Sequence, residues 1–111
     1  MKCEAEKKDE YTLVVMNGSM KSEADYNAFK SSIDAVLKSE EKNIILDMED
    51  VDYINSSGLG RLILTAKKTM EVDGGLKVIK LKDDLKELFT ITRLNERIEI
   101  FDSEEEATNP G

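Results

Sequence analysis

The feature that most constrains the fold is an alternation of short apolar runs with longer segments whose apolar residues recur every three or four positions. Runs rich in β-branched residues are typical of buried strands, and the three-to-four spacing is typical of amphipathic helices. Strands are predicted at residues 11–16, 43–48, 76–79 and 98–101, with an edge strand near residues 2–7. Helices are predicted from Glu23 and from Asp83 to Leu94, with a terminal helical turn over residues 103–107. Between them a further helix is predicted, whose apolar positions begin at Leu59 and which ends near Asp73.

Strands that alternate with helices favour parallel pairing, because each helix carries the chain back across the sheet. We therefore predict one α/β domain over residues 1–108, followed by a loose tail at residues 109–111. Its central sheet should be mixed and mostly parallel, with four to five strands and about four helices. The apolar faces of the first two helices should pack on this sheet; they comprise Tyr26, Phe29, Ile33, Val36 and Leu37, then Leu59, Leu62, Ile63, Ala66 and Met70.

Charge and residue usage exclude several classes of function. The 16 basic and 24 acidic residues give a formal net charge of −8, which disfavours binding to nucleic acid or to anionic membranes. The single cysteine, Cys3, excludes an internal disulfide, and no apolar h-region or membrane-length apolar run is present. These features predict a cytoplasmic protein.

The chain contains no histidine, which excludes a Ser-His-Asp triad, Cys-His catalysis and imidazole-based zinc sites. Gly58 and Gly60 lack the further residues of a phosphate-binding glycine loop. The carboxylates at positions 47–52 do not have the spacing of a calcium loop. We expect no cofactor, no metal and no enzymatic activity.

The segment Asn55-Ser56-Ser57-Gly58-Leu59-Gly60 carries the most functional information. Asn55 or Ser56 can cap the helix that follows, which is a purely structural interpretation. The same position also suits a phosphoserine, because the first backbone N–H groups of a helix have no partner within it and the helix dipole favours negative charge. A phosphate on a serine here would change the charge of the surface without unfolding the domain.

The sequence resembles the STAS domain, the fold of bacterial anti-sigma factor antagonists. The resemblance covers nearly the whole chain. It includes the strand that ends at Asn17-Gly18, the helix from Glu23, the strand Ile44–Asp47, the segment Val51-x-Tyr53-Ile54-Asn55-Ser56-Ser57-Gly58-Leu59-Gly60, the helix closed by Gly74-Gly75, and the ending from Leu94 to Phe101 with Ser103 and Ala107.

This resemblance implies an antagonist that binds an anti-sigma factor with serine kinase activity and so releases the sigma factor. The kinase would inactivate the antagonist by phosphorylating Ser56, with Ser57 as the alternative acceptor, and a PP2C-type phosphatase would reverse the modification. The implied partner-binding residues are Met20, Lys21, Asn55, Ser57, Gly58, Leu59 and Arg61, with Gly58 allowing a partner to approach closely.

Two positions depart from the family pattern. Asn55 replaces the usual aspartate, and Lys21 replaces an acidic residue in the loop after the second strand. These departures leave open a STAS scaffold or relay in a partner-switching pathway that controls no sigma factor, either with or without phosphorylation. Two other interpretations also stay open, namely an enzyme with Ser56 as nucleophile and Lys21 as base, and a small-molecule pocket.

Overall fold

The computed structural model describes residues 1–109; Pro110 and Gly111, from the predicted tail, lie outside the described residues. Within residues 1–109 the chain forms five strands and four helices. In chain order these are β1 (Lys2–Lys7), β2 (Thr12–Asn17), α1 (Glu23–Lys38), β3 (Asn43–Asp50), α2 (Ser56–Glu71), β4 (Gly75–Ile79), α3 (Asp83–Ile91), β5 (Glu99–Phe101) and α4 (Glu104–Thr108).

The five strands lie side by side in the order β1-β2-β3-β4-β5. β1 pairs antiparallel with β2, and the pairs β2–β3, β3–β4 and β4–β5 are parallel. The predicted α/β class and the mixed, mostly parallel sheet are therefore confirmed. Because β2 and β3 are parallel, their carboxyl ends meet at one edge of the sheet, and the loops that leave them lie close together.

Alternation along the strands divides the apolar side chains between the two faces of the sheet. One face carries Val14, Leu46 and Val78, which pack in the main core with the apolar faces of α1, α2 and α3. The other face buries a smaller cluster of Leu13, Ile45, Ile79 and Ala107, of which the last comes from α4. The main core therefore fixes α2, the helix that begins at the Ser-Ser-Gly segment.

Two predicted features were wrong in detail. Helix α3 ends at Ile91 and not at Leu94, because Arg93 adopts a left-handed backbone with φ 60° and the buried Leu94 starts a 3₁₀ turn. Met70 is 69% exposed and does not belong to the buried face of α2. Thr69 is buried instead, since its hydroxyl donates to the carbonyl oxygen of Ala66 at 2.9 Å and needs no water.

None of the helices in the described part of the chain has both the length and the apolar character that a membrane crossing requires.

Candidate functional site

Backbone hydrogen bonds join the loop after β2 to the segment that leads into α2. Met20 and Ile54 form an isolated parallel bridge. The amide of Met20 donates to the carbonyl oxygen of Tyr53 at 2.9 Å, and the amide of Asn55 donates to that of Met20 at 3.1 Å. The two loops that carry the predicted site residues are therefore held together beside the N-terminus of α2.

Asn55 is the N-cap of α2. Its backbone is extended, with φ −85° and ψ 179°, and its side-chain Oδ1 accepts from the amide of Gly58 at 2.8 Å. Its carbonyl oxygen accepts from the amide of Leu59 at 3.0 Å, the first bond of the helix. Within residues 1–109 the amides of Ser56 and Ser57 have no such acceptor, so they are the two free donors of the first turn.

Tyr26 of α1 holds the capping residue in place. The Asn55 side-chain amide faces the Tyr26 hydroxyl, with Nδ2 at 2.6 Å and Oδ1 at 2.9 Å. The guanidinium of Arg61 lies 5.5 Å from the centroid of the Tyr26 ring, a distance typical of a cation–π contact. The sequence pattern placed Tyr26 only on the apolar face of α1. A tyrosine on a buried face indicates a polar contact, because a buried tyrosine hydroxyl usually finds a hydrogen-bond partner.

Asp25 fixes the loop that carries Lys21. One of its carboxylate oxygens accepts from the amide of Lys21 at 3.0 Å, and the other lies 2.7 Å from the amino group of Met1. The Met1 ammonium, followed by the Lys21 amide and the Ser22 hydroxyl, holds the pKa of Asp25 well below its usual value. Sequence reasoning missed this role, because it treated Asp25 only as an acid near the N-terminus of α1.

The predicted site residues differ in how far they reach the surface. Lys21, Ser56 and Ser57 are exposed, whereas Asn55 and Arg61 are half-buried. Met20 has no exposed surface and Leu59 is only 9% exposed, so their side chains support the site from below. Their part in binding a partner stays a prediction.

Gly58 is required by the chain's own packing. A Cβ at this position would lie 2.7 Å from Cγ2 of Ile54 and 3.1 Å from both the carbonyl oxygen and the sulfur of Met20. The absent side chain therefore makes room for two neighbouring residues of the same domain. That a partner also approaches Gly58 closely stays a prediction.

Gly60 differs from Gly58 in its surroundings. Among residues 1–109, no atom lies within 4 Å of where a Cβ of Gly60 would be, and the backbone there is ordinary helix. Glycine inside a helix costs about 0.5–1 kcal/mol relative to alanine. No packing contact within the described part of the chain offsets this cost, and Gly60 was not among the predicted site residues.

Comparison with known proteins supports the fold and the family. The chain is 30% identical over 92 residues to BtrV of Bordetella bronchiseptica, which is named as an anti-sigma factor antagonist; the match covers 83% of this chain and 78% of BtrV. The fold is also similar to the crystal structure of TM1081 from Thermotoga maritima, with a TM-score of 0.88, 20% identity, and coverage of 97% of this chain and 92% of TM1081.

A second similar structure is SpoIIAA of Bacillus in its phosphorylated form, with a TM-score of 0.74, 17% identity and coverage of 97% of each chain. At these identities the two solved structures establish the fold alone. The family model described as the STAS domain matches residues 2–107, almost the full length of the sequence. The chain therefore belongs to the STAS domain family.

Proposed function

We propose that this protein is an anti-sigma factor antagonist that binds an anti-sigma factor with serine kinase activity, and that phosphorylation of Ser56 switches the binding off. The observation that carries this proposal is the exposed Ser56 at the first position of α2, beside two backbone amides without acceptors in the described chain. A family relative that is named as an anti-sigma factor antagonist supports the same assignment.

The N-terminus of α2 can accept a phosphate without rearrangement. A phosphoserine carries between one and two negative charges near neutral pH, and its oxygens accept hydrogen bonds strongly. The free amides of Ser56 and Ser57 and the positive end of a 16-residue helix favour such a group. The domain would keep its fold, while the partner would meet new charge at the centre of the contact.

The two departures from the family pattern are compatible with this switch. Asn55 keeps the capping bond to Gly58, which an aspartate would also make, but it adds no negative charge beside the acceptor serine. Lys21 brings an exposed positive charge to the adjoining loop. Both changes lower the repulsion that a phosphate on Ser56 would meet.

Binding of the unphosphorylated chain to its kinase partner tests the proposal. The variant Ser56→Asp should bind at least about tenfold more weakly than the wild type, because it buries an unpaired charge in the contact, while Ser56→Ala should bind as well as the wild type. Thr90→Asp, which adds the same charge to an exposed position of α3, is the matched control and should bind normally. Equal affinity of the two Ser56 variants would refute the switch at this residue.

The identity of the partners completes the proposal. We infer a PP2C-type phosphatase that restores the free serine, and a cytoplasmic location for the whole cycle. Asn55 and Lys21 favour a second candidate, a STAS relay in a partner-switching pathway that does not control a sigma factor. Co-purification from the source organism separates the two candidates, since recovery of an anti-sigma factor kinase contradicts the second.

A further inference from the structure

We propose that the partner packs directly on Gly60, and that the contact runs along α2 from Ser56 to Leu64 against an acidic partner surface that presents an apolar side chain. This inference rests on the proposed function for the identity of the partner. Beyond that function, it identifies Gly60 as the point of closest contact and specifies the chemistry of the partner's surface.

The first observation is that no contact among residues 1–109 requires glycine at position 60. It lies inside α2, with ordinary helical backbone and open space where a Cβ would point. Alanine at this position would stabilise the helix, whereas at Gly58 a methyl group would meet Ile54 and Met20. A glycine that the fold does not need, on a surface beside the acceptor serine, is explained by a partner that approaches the helix backbone closely.

The second observation is the row of residues in which Gly60 lies. Ser56, Gly60 and Leu64 follow one another at intervals of four residues, so they are neighbours on one face of the helix. Leu64 is 50% exposed although it is a large apolar side chain. The missing side chain of Gly60 thus leaves a shallow depression between the exposed Ser56 and the exposed Leu64. A side chain of the partner fits into this depression.

The third observation is the charge along the seam between α1 and α2. Asp34 pairs with Lys30 at 2.8 Å and with Lys68 at 3.3 Å, and Arg61 lies on the same seam over Tyr26. These three cations and one carboxylate leave a local positive charge on a protein of net charge −8. A shallow groove of about 40 Å³ follows the seam and is lined by Phe29, Lys30, Ile33, Arg61, Leu64, Thr65 and Lys68.

These observations together specify the occupant. Opposite charge across an interface steers association and selects the partner, so the positive seam fits an acidic surface. The exposed Leu64 fits an apolar side chain of that surface. A phosphate on Ser56 would then face the partner's carboxylates, which gives the proposed switch a direct electrostatic cause.

The test compares Gly60→Ala and Gly60→Leu with the wild type in two measurements. The first is the affinity for the recombinant serine-kinase anti-sigma factor of the source organism, at low and at high salt. The second is the midpoint of thermal unfolding of the free chain. Thr90→Ala serves as a control, because it replaces an exposed helical residue of α3 by a better helix former away from the proposed contact.

We expect Gly60→Ala to raise the unfolding midpoint by roughly 2–6 °C and to weaken binding at least about tenfold. Gly60→Leu should bind more weakly still without loss of stability, and Thr90→Ala should bind as the wild type does. Wild-type affinity should fall as salt rises.

The outcomes separate this inference from the proposed function. If the wild type binds the kinase and both Gly60 variants bind equally well, this inference alone fails. A lower unfolding midpoint for Gly60→Ala also overturns it, because the fold would then need the glycine. If the wild type does not bind the kinase at all, the proposed function fails, and the assignment of this partner fails with it.

Discussion

Replacing Gly58 by alanine should destabilise the domain, although alanine is the better helix former. The new Cβ would lie 2.7 Å from Cγ2 of Ile54, whereas carbon atoms in contact are ordinarily about 3.5–4.0 Å apart. It would also lie 3.1 Å from the carbonyl oxygen of Met20, which accepts the amide of Asn55. Neither neighbour can retreat without disturbing the bridge that holds the two site loops together.

The expected size of the effect follows from two opposing contributions. Overpacking of a filled site costs about 1–3 kcal/mol. The gain in helix propensity from glycine to alanine returns about 1 kcal/mol. The free energy of unfolding should therefore fall by up to about 2 kcal/mol, and the unfolding midpoint by up to several degrees.

Urea unfolding of Gly58→Ala and Gly60→Ala, followed by circular dichroism, measures this effect with an internal control. Both variants gain the same helix propensity, so the difference between their unfolding free energies, about 1–3 kcal/mol, reports the crowding at Gly58. Gly58→Ala should be less stable than the wild type and Gly60→Ala more stable. Equal stabilisation by the two substitutions would refute the argument from packing.

Three further measurements probe the supports of the site. Tyr26→Phe removes the hydroxyl that contacts Asn55 and should lower the free energy of unfolding by about 1 kcal/mol. The same substitution made in the Asn55→Ala variant should lower it much less, and equal losses in the two backgrounds would contradict the contact. Burial raises the pKa of the Cys3 thiol to about 11, so iodoacetamide should alkylate Cys3 at pH 8 about a hundredfold more slowly than an exposed cysteine, and comparable rates would contradict this. The pKa of Asp25 is lowered on folding, so its carboxylate stabilises the domain above the unfolded pKa of about 4 and loses this effect as the pH falls further. The destabilisation by Asp25→Asn should therefore shrink below pH ~4. A stability difference between wild type and variant that does not depend on pH would refute the ion pair.

Local patterns in the sequence predict most of the fold because they reflect backbone preferences that tertiary contacts reinforce. The β-branched runs mark the strands, and Ser22 caps α1 as its residue type suggests, accepting from the amide of Asp25 at 3.3 Å. The end of α3 was predicted wrongly because it depends on the left-handed backbone of Arg93. Arginine rarely adopts this conformation, so its presence in the sequence does not indicate a helix end.

The surface of the site was less predictable than its position. The sequence places Ser56 at the start of a helix, but it does not show that Met20 is buried beneath it or that Tyr26 contacts its cap. The different roles of Gly58 and Gly60 depend on atoms from other elements that surround each position. These features depend on contacts between residues that are distant in sequence, and a local sequence pattern does not predict such contacts.

The most direct test of the central claim is phosphopeptide mapping of this protein isolated from its own cells, with and without treatment by a serine phosphatase. The account predicts one phosphate, located on Ser56 and removed by the phosphatase. A phosphate confined to Ser57, or none under either growth or stress conditions, would contradict it.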